Sequence, residues 1–333
     1  RDVAPSRGLG DVYKRQNSYS EDDYRPLYNS VDASLLLFEQ VKKYIEYTKD
    51  YDFIMNEIYQ NLEHIIKNYS IGIDIDDNNI YLDTDGLIVS GTPYTQNTWM
   101  DVKYDGIPAT PRNGKPVEIN AMWYNALKVM VELAEYQKDE SKKEKYERMA
   151  NKCKKSFREK FYNKSKKCLY DVLEDGKVRP NQLFALSLSY PVLDVNSKEA
   201  KEMFETVTKK LLNKYGLKTL AKGEENYIDI YEGNSFKRDF SYHQGITWTW
   251  LLGLYYNCLK RFATESRTGK KKYNEQLEEF IQSVTETFSK EINERGCIGS
   301  IAEIYDSKRP FEPKGAVAQA WSVAEVFRII TRS

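Results

Sequence analysis

Apolar residues recur every three to four positions in stretch after stretch of this 333-residue chain, and that period points to a mainly helical fold. Leu37, Val41 and Ile45 follow Ser30 and Asp32, either of which suits a helix cap, and Ile54, Ile58, Leu62 and Ile65 follow Asp50. Further helices are predicted near 117–137, 142–161, 181–190, 197–213, 243–261, 272–289 and 315–331. Alternation of Ile71, Ile73 and Ile75, a DDNN turn, then Ile80 and Leu82 predict a small β-hairpin over 71–89. The segments 91–116 and 219–242 are rich in turn-forming residues and read as long loops, which in compact domains are commonly functional. Nine antiparallel helices with such loops fit a toroid of helical hairpins better than a compact bundle. No short period recurs, which argues against a solenoid.

Bulk properties narrow the function. Lys+Arg and Asp+Glu both number 50, so no basic excess exists to displace the counterions of a nucleic acid. No apolar run approaches the roughly 18 residues of a membrane span. Cys153, Cys168, Cys258 and Cys297 form no CxxC pair and read as reduced thiols of a cytoplasmic protein. Only His64 and His243 are available as imidazole ligands, and neither has a partner at metal-ligand spacing, so neither a metal nor a cofactor is expected. A GxGxxG turn and a GxSxG elbow are both missing from the sequence, and Asn113-Gly114-Lys115 runs into Pro116 rather than Ser or Thr. Carboxylates set among aromatics remain, the combination that glycoside hydrolysis uses.

The five tryptophans mark where. Trp99 and Trp123 fall in TQNTWMDVKYDGIPATPRNGKPVEINAMWYNAL (95–127), Trp248 and Trp250 in FSYHQGITWTWLLG (240–253), and Trp321 in GSIAEIYDSKRPFEPKGAVAQAWSVAEV (299–326). A fourth block, KVRPNQLFALSLSY (177–190), lacks Trp. With YNSVDASLLLF (28–38), these blocks are collinear with, and resemble, the C-terminal glucosidase domain of glycogen debranching enzymes over about residues 24–330. Val102 stands where the family has a small Ala, and Thr249 where it has a Pro.

The resemblance implies an (α/α)6 barrel of twelve helices with the active site among the loops at its mouth. The family's opening helices have no counterpart upstream of residue 24, so the expectation is an incomplete barrel over 17–333. Residues 1–16, RDVAPSRGLGDVYKRQ, resemble translated sequencing-adapter sequence and are set aside from the fold. Asp101 is similar to the family's general acid and Glu303 to its general base, with Asp306 a competitor for the second role. Asp32, Arg112, Lys115, Glu118, Gln182, His243, Gln244 and Gln319 occupy positions resembling the family's substrate shell, though each suits a structural ion pair or cap equally well. Trp99, Trp123, Trp248, Trp250 and Trp321 are candidate platforms for sugar faces, and some of them belong to the core. The expected activity is inverting release of glucose from α-1,6 branch stubs of glycogen or a related α-glucan. A glucoamylase-like α-1,4-glucosidase, a glucan-binding fragment without activity and a plain helical interaction array stay open.

Overall fold

The computed structural model describes residues 29–332 apart from 76–77, together with the backbone of Ser18–Tyr19 and Pro26–Leu27. The 1–16 segment lies outside the described residues.

Helices dominate. In chain order they are α1 (Ala33–Thr48), α2 (Tyr51–Phe53), which runs through a wide π turn at Ile54–Ile58 into α3 (Tyr59–Ile71), α4 (Val117–Gln137) and α5 (Glu140–Lys160). There follow α6 (Phe184–Ser187), entered through a 3₁₀ turn at Pro180–Leu183, α7 (Lys198–Lys210), α8 (Ser235–Ser241), α9 (Leu251–Glu265), α10 (Lys270–Glu294) and α11 (Ala320–Ile330). Side-chain caps start several of them: the Phe53, Lys142 and Ala200 amides donate to Asp50, Asp139 and Ser197 at 2.9–3.1 Å. At α1 the Ala33 amide bonds to Ser30 Oγ at 3.2 Å, and the Ser30 hydroxyl donates to Asp32 Oδ1 at 2.7 Å.

The helices sort into two layers. α1 packs on α4, α4 on α6, α6 on α9 and α9 on α11, an inner series in sequence order, while α3, α5, α7 and α10 lie outside it. Sequence dictates the layer. α4 is apolar almost all round and buried along most of its length, whereas the strongly charged α5 buries only Tyr146, Ala150, Cys153, Ser156 and Phe157. Each inner helix is entered through one of the conserved-looking motif loops, so the motif residues Asp32, Glu118, Gln182, Trp250 and Gln319 all fall at or just before inner N-termini.

The sheet content exceeds the single expected hairpin. Ile73 and Ile80 do bridge, and Tyr81–Leu82 then pairs with Ile88–Val89; Asn120 of α4 pins this turn by accepting from the Ile88 amide at 2.7 Å and donating to its carbonyl at 3.1 Å. Three more two-stranded ribbons pair Ser18–Tyr19 with Pro26–Leu27, Lys103–Tyr104 with Ile107–Pro108, and Tyr162–Asn163 with Cys168–Leu169. A five-stranded antiparallel sheet runs Pro313–Lys314, Ile304–Tyr305, Thr247–Trp248, Gly216–Lys218, Leu212–Asn213. It displaces two predicted helix starts, because α9 begins at Leu251 rather than 243 and α11 at Ala320 rather than 315. Gly245 shows why a helix cannot run through 243–250: its φ is +133°, and a Cβ there would lie 2.4 Å from the Ile228 carbonyl. The predicted loop 219–242 contains α8.

Candidate active site

Four of the five tryptophans meet at the N-terminal end of the inner helices. Trp99 sits edge-on to Trp248 and Trp250, with ring centroids 5.5 and 5.0 Å apart, and Trp250 stacks on Trp321 at 5.1 Å and 19°. Trp248 closes the group against Trp321 at 5.7 Å. His243 is buried within it, its ring stacked on Trp248 at 5.2 Å and edge-on to Trp99. Such pairs add about 0.5–1.5 kcal/mol each beyond the area they bury, so the cluster holds the 95–127, 240–253 and 299–326 blocks together. Trp99 and Trp248 are buried while Trp250 and Trp321 are half-exposed, which leaves the stacked pair as the accessible face. The Trp250 indole N–H is buried with no acceptor among the described residues. Trp123 is elsewhere: it is fully buried in α4 and stacks on Tyr69 at 6.1 Å.

Glu303 enters this cluster from the sheet. It precedes Ile304, which pairs with Trp248, and it is buried. One carboxylate oxygen accepts from the Ala316 amide at 3.0 Å and the other from the Gln319 side chain at 3.3 Å, and Gln319 lies two residues before Trp321. Gly315 makes this possible. Its φ is +71°, and a Cβ there would meet Glu303 Oε2 at 2.4 Å. Gly315→Ala is therefore expected to push the Glu303 carboxylate aside and lower activity severalfold with a small loss of stability. Paired rate and melting measurements check this, and an unchanged rate would show that the position of Glu303 does not matter.

Asp306 lies three residues on and is also buried, but it faces the other way. It accepts from the Tyr231 amide at 2.8 Å, and burial raises its pKa. Together with Ser307, whose amide donates to the Asp229 carbonyl at 2.8 Å, it ties the 219–242 loop to the sheet.

Asp101 is half-exposed and lies two residues past Trp99. It shares a shallow hollow with Asn29, Ser30, Asp32, Gln96, Asn97 and Thr98. Because Ser30 caps α1, the Asp32 carboxylate is held into this hollow rather than onto the helix. Asp101 follows Trp99 by two residues and Glu303 bonds Gln319, two residues before Trp321, so each carboxylate adjoins a loop that carries one of the clustered indoles.

Beneath the cluster is a buried charge network. Arg112 donates to both oxygens of Glu118, at 2.6 Å to one of them, and to Asp171 at 2.7 Å and Thr98 at 3.1 Å. Burial opposes its charge, but Asp171 and Glu118 outweigh that and hold the guanidinium well above its usual pKa. Asn181 bonds Asp171 at 2.8 Å and accepts from the Trp99 indole at 2.7 Å, so the network sets the angle of Trp99. Arg179 donates to the His243 and Thr219 carbonyls and to Gln244 Oε1 at 2.9 Å, while Gln244 donates to the Ala109 carbonyl. Gln182 bonds the Leu169 amide and the Arg179 carbonyl. Lys115 reaches Asp83 and Asp85 at 2.6 and 2.7 Å, on the hairpin. Sequence reasoning did not single out Asp171, Arg179 and Asn181. The last two lie in the RPNQ block and were within reach; Asp171 sits in a plain ribbon with nothing local to mark it.

Among the described residues no group of His, Cys, Asp or Glu is arranged to hold a metal ion, and no helix is long and apolar enough to cross a membrane. All four cysteines are free thiols.

The fold and the site define a mainly helical protein with carboxylates and indoles gathered at one end of an inner helix layer. A solved structure described as a sialidase shares this fold, with a TM-score of 0.60 and 15% identity over 94% of this chain and 27% of that one. The sequence pattern of the amylo-alpha-1,6-glucosidase family matches residues 16–328, and the chain belongs to that family. It is 25% identical to the glycogen debranching enzyme of Saccharomyces cerevisiae, over 61% of this chain, and spans 16% of that relative's length.

Proposed function

We propose that this chain is a glycoside hydrolase that releases glucose from α-1,6 branch stubs of an α-glucan with inversion, working among the inner N-termini of an (α/α)6-type toroid of helices. The observation that carries the reading is the tryptophan cluster, which gathers the loops that hold Asp101 and Gln319, the partner of Glu303. Asp101, half-exposed, protonates the glycosidic oxygen; Glu303, positioned by the bonds it accepts from the Ala316 amide and Gln319, takes a proton from the attacking water. Inversion needs room for that water, about 6.5–9.5 Å between the carboxyl groups. The outward parts of Trp250 and Trp321 suit the apolar side of a glucose ring. Asp32 offers acceptors to the hydroxyls of the terminal glucose. The chain's family membership supports the α-1,6 linkage.

The test is hydrolysis of panose and of a branched limit dextrin, with maltose as comparator, followed by proton NMR. Glucose from the α-1,6 substrates, appearing first as the β anomer, is the expected result. Preference for maltose overturns the linkage, the α anomer overturns inversion, and amylopectin binding without glucose release overturns catalysis by this chain.

A further inference from the structure

Away from the tryptophan site, a cavity of about 450 Å³ opens between the end of α5, the ribbon at 162–169 and the start of α7. That size suits a small organic ligand. Its floor is Phe157, Leu169 and Leu193, and its rim carries Lys154, Lys155 and Arg158. None of these three cations makes an ion pair among the described residues, although the chain has as many acids as bases. Lys154 is half-buried, with its ammonium over the Tyr124 ring at 5.5 Å. Burial first, and then Arg158, lower its pKa; Asp194 works against them and Lys128 with them, so the repulsion among the cations is only partly offset by a nearby acid. Glu199 and Asn151 face the same space and offer acceptors for hydroxyls.

We propose that this cavity binds a small phosphorylated sugar, its phosphate monoester between Lys154, Lys155 and Arg158 and its hydroxyls toward Asn151 and Glu199. A monoester brings charge of about −1.5 to −2 and three acceptor oxygens, which a guanidinium can take two at a time. The carboxylates on the rim disfavour a polyphosphate, and an apolar floor without a free aromatic sandwich disfavours a nucleotide base.

The test is calorimetric titration of the full chain with glucose 6-phosphate, inorganic phosphate and glucose at constant ionic strength. Saturable binding of glucose 6-phosphate is expected, tighter than either part alone. Arg158→Gln and Lys154→Gln should each weaken it about tenfold or more, the value of a hydrogen bond between charged groups. Glucose held at the tryptophan site should be untouched by both. Arg158 is exposed, so its variant folds and decides the matter even if Lys154→Gln does not. Absence of saturable binding, or affinity unchanged in Arg158→Gln, overturns the proposal. Equal affinity for inorganic phosphate removes the sugar from it.

Discussion

Glu303→Gln and Asp101→Asn are each expected to lower the rate of glucose release by about 10²–10⁴-fold without changing the melting temperature, the usual cost of removing a general base or acid. That loss corresponds to about 2.7–5.5 kcal/mol of barrier. Asp101 is half-exposed, so its amide meets solvent on one side. For Glu303 the amide oxygen can keep the Ala316 bond, and only the 3.3 Å bond donated by Gln319 is lost because an NH₂ group cannot accept it, so the shape of the site survives. Asp306→Asn is the control. Its amide oxygen can still accept from Tyr231, and burial already disfavours the charge it removes, so it should keep both the fold and most of the rate. If Asp306→Asn is dead and Glu303→Gln active, the base is Asp306.

The second large effect lies beneath the site. Arg112→Ala leaves Glu118 and Asp171 buried without their shared cation, and breaking a buried pair in this way costs about 3–5 kcal/mol. For a chain of this size each kcal/mol moves the transition by about 2–4 °C, so a fall of about 10 °C is expected in a thermal melt. Trp99 should loosen with it, because Asp171 holds Asn181 and Asn181 holds the Trp99 indole. A contact between Arg112 and sugar would behave differently, raising KM with the melt unchanged. That outcome would remove Arg112 from the scaffold.

Helices were readable because their apolar period is local: α1, α4, α5, α7 and α10 fall close to where the spacing of their own residues puts them. The five-stranded sheet was not, because its strands are two or three residues long and pair across as many as 58 positions, as between Thr247 and Tyr305. No period can form in two residues. The site was legible in part for the same reason. Trp99, Trp248, Trp250 and Trp321 stand out by residue type and by the motif blocks they mark. What sequence does not display is the difference between a group facing sugar and a group facing its own scaffold. Arg112 and Glu118 share the motif block of Asp101, and Gln182 and Gln244 lie in two further blocks, yet their hydrogen bonds are made within the protein. Asp32 differs only because Ser30, two residues earlier, makes the helix cap.

The crowding of indoles has an optical consequence. Trp99, Trp248, Trp250 and Trp321 lie within 5.0–5.7 Å of one another along each edge of their cluster, close enough for excitation to pass among them before emission. Trp123, the fifth, is sealed in α4 against Tyr69. Four of the chain's five indoles thus lie where the motif loops converge. A sugar seated on Trp250 and Trp321 would change that emission directly, so the protein carries its own reporter of occupancy and needs no label.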